Sequence, residues 1–142
     1  MYAYNGDDTV HTRTDGKGVI TTYTYDDLAR VTAKNYSDGN TLNAYYYYGV
    51  DTCGDPSTDP VKGRLTFSWT SPATSNLGIN DPNQVAVHRY TYNNDGYITA
   101  VDTSVLVPGS SPDGYGGEIA MDYDQIGNVM FMETAPNGAA GT

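Results

Sequence analysis

A short phrase recurs five times along this chain of 142 residues and constrains its fold more than any other feature. The copies are Tyr2-Ala3-Tyr4-Asn5, Tyr23-Thr24-Tyr25-Asp26, Tyr46-Tyr47-Tyr48-Gly49, Tyr90-Thr91-Tyr92-Asn93 and Met121-Asp122-Tyr123-Asp124. An internal repeat sets the architecture before any single residue is read. We number each copy from its first residue as position 0. Position +2 is then always Tyr, and position +3 is Asn, Asp or Gly. Position +6 is Asp8, Ala29, Gly96 or Gly127, and position +8 is Val10, Val31, Ile98 or Val129. The third copy carries an insertion and resumes at Gly63-Arg64-Leu65-Thr66, matching Ala29-Arg30-Val31-Thr32.

Each copy reads as a β-hairpin. Residues two apart in a strand share a face, so Tyr-x-Tyr puts two rings on one side. Asp or Asn at +3 starts a turn by hydrogen-bonding nearby backbone, and Gly at +6 supplies a positive φ. The chain returns through an aliphatic residue at +8. A second turn follows at Asp15-Gly16, Asp38-Gly39, Asp113-Gly114 and Asn137-Gly138. The first three copies are spaced 21 and 23 residues apart, and the intervals then lengthen to 44 and 31. The added residues fall at 50–62, 71–84 and 108–117, which read as polar loops where function tends to sit in repeat proteins.

Composition agrees. The chain has 14 Tyr, 16 Gly and 18 Thr but two Glu, a balance that suits pleated strands rather than helices. The expected fold is all-β with almost no helix: one domain over 1–142, an antiparallel spiral of β-hairpins open like a solenoid or a partial barrel. The net charge of −10 leaves no basic stripe for nucleic acid. No apolar run is long enough for a membrane helix, so no membrane insertion is expected. The acidity suits an extracellular or cell-surface protein. Cys53 is the one cysteine, so no intrachain disulfide forms.

Tyr23-Thr24-Tyr25-Asp26-Asp27-Leu28-Ala29-Arg30-Val31-Thr32 resembles a YD repeat, the unit of the Rhs and teneurin families. Tyr90 through Thr99 and Asp124 through Val129 are similar to it as well. The resemblance covers nearly the whole chain except the loops. It implies a long spiral of hairpins. In Rhs proteins and the C component of ABC insecticidal toxins such spirals close into a shell around a toxic domain. In teneurins a related barrel supports adhesion at the cell surface, and some wall-associated relatives are linked to carbohydrate binding. This chain has about five repeats and lacks the Asp-Pro-x-x-Gly-Arg-aromatic segment of the Rhs core, so no enzymatic role carries over.

The residues themselves point to no catalytic site. Asp7-Asp8 and Asp26-Asp27, with Asp122 and Asp124, are carboxylate pairs of a kind that can run glycoside hydrolysis, but they occupy turn positions. Hard oxygens also suit calcium, yet no complete calcium loop is present and no cofactor is expected. His11 occupies strand position +9, and His88 lies far from it in sequence.

The tyrosines divide into two sets. Met121 replaces Tyr at position 0, and Met fills apolar gaps but makes a poor sugar platform. The sequence therefore predicts an internal core ladder of Tyr2, Tyr4, Tyr23, Tyr25, Tyr46, Tyr48, Tyr90, Tyr92, Met121 and Tyr123, faced by Val10, Val31, Leu65, Ile98 and Val129. The other set, Tyr45, Tyr47, Trp69, Tyr97 and Tyr115 with Tyr36, is predicted to form a wet face for a ligand or partner. Both terminal hairpins should expose unpaired edges. Two functions compete. One is a structural scaffold whose edges pair with further repeats of the same or another chain, in a fibre or toxin-type shell. The other is an adhesion module holding glycans or a surface receptor.

Overall fold

The computed structural model describes residues 1–49, 62–72, 84–105 and 115–136. Ten antiparallel strands form one sheet in strict sequence order. They are β1 (Tyr2–Tyr4), β2 (Val10–Thr14), β3 (Ile20–Tyr25), β4 (Val31–Tyr36), β5 (Asn43–Tyr48), β6 (Leu65–Ser71), β7 (Ala86–Tyr92), β8 (Ile98–Val105), β9 (Tyr115–Tyr123) and β10 (Val129–Pro136). The sheet does not close, and β1 and β10 are its two edges. No helix occurs among the described residues. Of the expected loops, 50–61, 73–83 and 108–114 lie outside the described residues, together with Cys53, Asp113-Gly114 and Asn137-Gly138. The third loop is shorter than its composition suggests. Tyr115, Gly116 and Gly117 already belong to β9 and pair with Val105, Ser104 and Thr103, because a ladder needs backbone and not side chains.

Every hairpin keeps one register. Position 0 lies opposite +11 in all five: Tyr2 with Arg13, Tyr23 with Lys34, Tyr46 with Ser68, Tyr90 with Val101 and Met121 with Met132. Position +2 lies opposite +8 after a one-residue bulge: Tyr4 with Val10, Tyr25 with Val31, Tyr48 with Leu65, Tyr92 with Ile98 and Tyr123 with Val129. The bulge adds twist where the strands enter the turn. Insertions change the spacing along the chain and leave this register intact.

The turn is likewise common to all copies. The +3 amide donates to the +7 carbonyl: Asn5 to Thr9, Asp26 to Arg30, Gly49 to Arg64, Asn93 to Tyr97 and Asp124 to Asn128. The Asp26 carboxylate accepts the amides of Leu28 and Arg30, and Asp124 accepts those of Ile126 and Asn128. Position +6 is left-handed throughout: Asp8 at 63°, Ala29 at 57°, Gly63 at 77°, Gly96 at 88° and Gly127 at 87°.

Why some of these are Gly follows from position +7. Its side chain crosses to the next hairpin. Arg30 donates to the Gly63 carbonyl, the Arg64 guanidinium lies over Gly96, and the Tyr97 ring lies over Gly127. A Cβ at Gly96 or Gly127 would collide with that arm. Ahead of Ala29 the +7 residue is Thr9, whose hydroxyl folds back to Asp7, so a side chain at Ala29 meets no arm. Asp8 has no hairpin before it.

The left-handed cost for a non-Gly residue is about 1–2 kcal/mol, partly offset by the conformational freedom that Gly loses on folding. Ala29→Gly should therefore stabilise the chain by about 0.5–1 kcal/mol. Gly96→Ala, which adds the collision with Arg64, should destabilise it by more than about 1 kcal/mol. Denaturant titration of both variants measures the two signs.

Candidate functional site

The repeated tyrosines act at the junctions between hairpins. There the paired ladder stops at Thr12 with Thr22, Ala33 with Tyr45, Phe67 with Arg89 and Ala100 with Ala120. In each case the +8 residue of the first hairpin lies beyond the last pair. The +2 tyrosine of the next hairpin reaches across that gap and donates its hydroxyl to the +8 carbonyl. Tyr25 donates to Val10 at 2.8 Å, Tyr48 to Val31 at 3.0 Å, Tyr92 to Leu65 at 2.6 Å and Tyr123 to Ile98 at 2.8 Å.

The +7 arm covers the same tyrosine. The Arg30 guanidinium lies 4.4 Å above the Tyr48 ring and that of Arg64 lies 5.5 Å above Tyr92. Tyr97 stacks on Tyr123 with centroids 5.0 Å apart. Arg30 is itself held by Asp26 through its Nε at 2.7 Å. That side-chain bond is the main cause holding the Asp26 carboxyl below the usual carboxylate range. Burial pushes the Tyr48 and Tyr92 phenols above their ordinary value of 10.0.

The clamp is unfilled at both ends. Among the described residues, Tyr4 lies on the first hairpin and meets no +8 carbonyl, and Val129 lies on the last and meets no tyrosine hydroxyl. Tyr2 and Tyr4 are 55% and 61% exposed, and Val129 is 50% exposed. These three are thus exposed, contrary to their place in the predicted ladder, because β1 and β10 are the outer strands of the described sheet and no further strand covers them among the described residues. The rest of the ladder (Tyr23, Tyr25, Tyr46, Tyr48, Tyr90, Tyr92, Met121, Tyr123 and Val10, Val31, Leu65, Ile98) is half-buried. Its rings pack against long side chains: Arg30 over Tyr48, Lys34 over Tyr46, Arg64 over Tyr92 and Tyr97 on Tyr123.

The closest packing lies on the opposite face. Ala33, Tyr45, Phe67, Trp69 and Val87 form the buried apolar cluster, aligned by register across β4 to β7. Tyr45 at 7% exposure and Trp69 at 3% are therefore core residues, a correction to the predicted wet face. They sit directly opposite each other on β5 and β6 and stack at 5.0 Å, where cross-strand aromatic pairs gain beyond simple burial. Tyr36 is half-buried, Tyr47 and Tyr97 are exposed, and Tyr115 begins β9. Tyr47 packs its ring at 5.5 Å from Trp69, while Tyr97 is spent on Tyr123.

Of the candidate carboxylates, Asp7, Asp26 and Asp124 are occupied by their own turns. Besides Asp26 and Asp124, Asp7 binds Thr9 and Asp38 binds Thr41. No cluster of three or more metal-ligating side chains occurs among the described residues. His11 is exposed on β2, and His88 Nδ1 lies 3.0 Å from the Thr103 hydroxyl.

Two features were missed from sequence. The recurring Arg30 and Arg64 at +7 were visible in the alignment of copies two and three. Phe131 was not: the terminal hairpin was expected to expose an edge, but the repeat pattern did not show that Val129, Met130, Phe131 and Met132 would all be exposed on it. A scan against models of protein families finds no match to this chain, and no curated protein matches it.

The clamp makes two predictions. Tyr92→Phe should cost about 1 kcal/mol, the usual net worth of one hydrogen bond, whereas Tyr4→Phe should cost nothing measurable by the same denaturation assay. The raised phenols also set a pH dependence. Their contribution is full below the ordinary phenol value and is lost as pH rises through the higher folded value. Stability should thus fall above about pH 10, less steeply in the Tyr48→Phe and Tyr92→Phe double variant.

Proposed function

We propose that this chain is a non-enzymatic scaffold of the YD-repeat type, extended edge to edge by further Tyr-x-Tyr hairpins into an extracellular fibre or a toxin-type shell. The observation that carries this reading is the open clamp at each end. Tyr4 presents a donor at one edge, and Val129 presents the matching acceptor at the other. Around them Met1, Tyr2, Met130, Phe131 and Met132 are exposed. An edge strand that remains solvent-facing is normally shielded by charge, proline or bulges. β10 has a bulge between Val129 and Phe131 and carries Glu133 and Pro136 farther along, but its run Val129-Met130-Phe131-Met132 carries no charge.

Burial along the sheet supports the same reading. A single layer leaves its ladder face half open, and neighbouring hairpins are what bury the equivalent rings inside the chain.

The alternative, a glycan or receptor module, rests on exposed aromatic rings. With Tyr45 and Trp69 buried, Tyr47 and Phe131 are, among the described residues, the exposed rings left for that purpose on that face.

Sedimentation velocity over a rising concentration series, with electron microscopy of the products, tests the proposal. Concentration-dependent oligomers or filaments are expected, and Phe131→Lys should suppress them while leaving the melting temperature within a few degrees. A monodisperse monomer at high concentration overturns self-assembly.

A further inference from the structure

We infer that the outer edge of β10 is a docking site for an antiparallel Tyr-x-Tyr strand whose second tyrosine donates its hydroxyl to the Val129 carbonyl. The inference deepens the scaffold reading by naming the register and chemistry of the partner. It rests on four internal junctions that share one geometry. In each, +10 of one hairpin faces −1 of the next, and the +2 hydroxyl closes on the +8 carbonyl. Carried over to β10, this rule sets Phe131 against −1, Met132 against −2 and Glu133 against −3.

The junction between β6 and β7 is the nearest template. There too the +10 residue is Phe, and its partner at −1 is Arg. The Arg89 guanidinium lies 5.3 Å above the Phe67 ring. A cation at −1 would find the same aromatic face at Phe131, which is exposed. Where β8 and β9 set Asp102 against Glu118 in this register, Arg89 pairs with Asp102. At −3 of the docked strand an acidic residue is disfavoured. In this register Glu133 would face it directly, and like charges opposite one another destabilise a strand pair. Position 128, whose equivalents throw an arm over the next turn, is Asn128, and its amide is held by Asp124 at 2.8 Å. The docked strand's following turn is therefore free to carry a side chain. The partner that fits best is a strand of the form uncharged-x-basic-Tyr-x-Tyr-Asn or -Asp; the β1 edge of a second copy supplies the Tyr-x-Tyr-Asn with Met1 in place of the basic residue. The β7 segment of this chain, Val87-His88-Arg89-Tyr90-Thr91-Tyr92-Asn93, already has that form.

The test uses the intact chain labelled with nitrogen-15 and a synthetic peptide of residues 84–94. Titration should shift the backbone amides of Val129 to Thr134 and leave those of β1 and the central strands in place. A peptide with Tyr92→Phe should bind about fivefold more weakly, the loss of one hydrogen bond. A peptide of residues 115–125 places Glu118 opposite Glu133 and should bind more weakly still. A scrambled peptide of the first composition should not shift the β10 amides. Equal binding by the scrambled peptide, indifference to Tyr92→Phe, or shifts centred away from β10 would overturn the docking site. A chain that binds the peptide at β10 yet stays monomeric in sedimentation refutes self-assembly and leaves the docking site standing.

Discussion

A phenolic hydroxyl and a backbone carbonyl meet wherever one hairpin of this chain joins the next. The reason lies in the bulge that precedes each turn. It twists the strand end away from its outer neighbour, so the ladder between hairpins ends at +10, two residues short of the +8 residue. That carbonyl would otherwise need water or a strained partner. A tyrosine at +2 has the length to cross the gap, and its ring fills the space beneath. The same twist opens room above the ring, which Arg30, Arg64 or Tyr97 occupies from the preceding hairpin. One residue type thus satisfies a polar group, packs an apolar surface and sets the register of neighbouring hairpins.

This coupling explains which positions tolerate change. Met121 replaces Tyr at position 0 without loss of register, because position 0 packs and does not clamp. Its sulfur lies 3.7 Å from the Tyr123 hydroxyl, filling the place of a ring. Position +2 carries Tyr in every copy, including Tyr4, whose hydroxyl meets no carbonyl among the described residues. Position +6 is Gly where an arm from the previous hairpin lies over it and is not Gly where none does. Each choice is local, and together they let insertions enter the chain without shifting the sheet.

The hairpins, their turns and the left-handed +6 position were legible in the sequence because each depends on residues within about ten of one another. The all-β class followed from the same pattern. The distribution of burial was not legible. Alternation shows that Tyr45 and Tyr47 face away from Tyr46 and Tyr48, but not which face is covered. That depends on Ala33, Phe67, Trp69 and Val87 arriving from three other strands. Equivalence of the copies also suggested equal burial for all ladder members. Tyr4 and Val129 break that equivalence through their place at the edges, a property of the sheet and not of the motif. The clamp itself was hidden because a hydroxyl in a repeated Tyr reads equally well as an exposed platform or a core ring.

The hydroxyl protons of the tyrosines provide the most direct test of the clamp. In proton NMR at low temperature, those of Tyr25, Tyr48, Tyr92 and Tyr123 should exchange slowly enough to be seen. Each should show a nuclear Overhauser contact to the backbone of Val10, Val31, Leu65 or Ile98 respectively, while the Tyr4 hydroxyl stays invisible. If those four hydroxyls exchange as fast as that of Tyr4, the hairpins are joined by their ladders alone and the clamp does not organise the sheet.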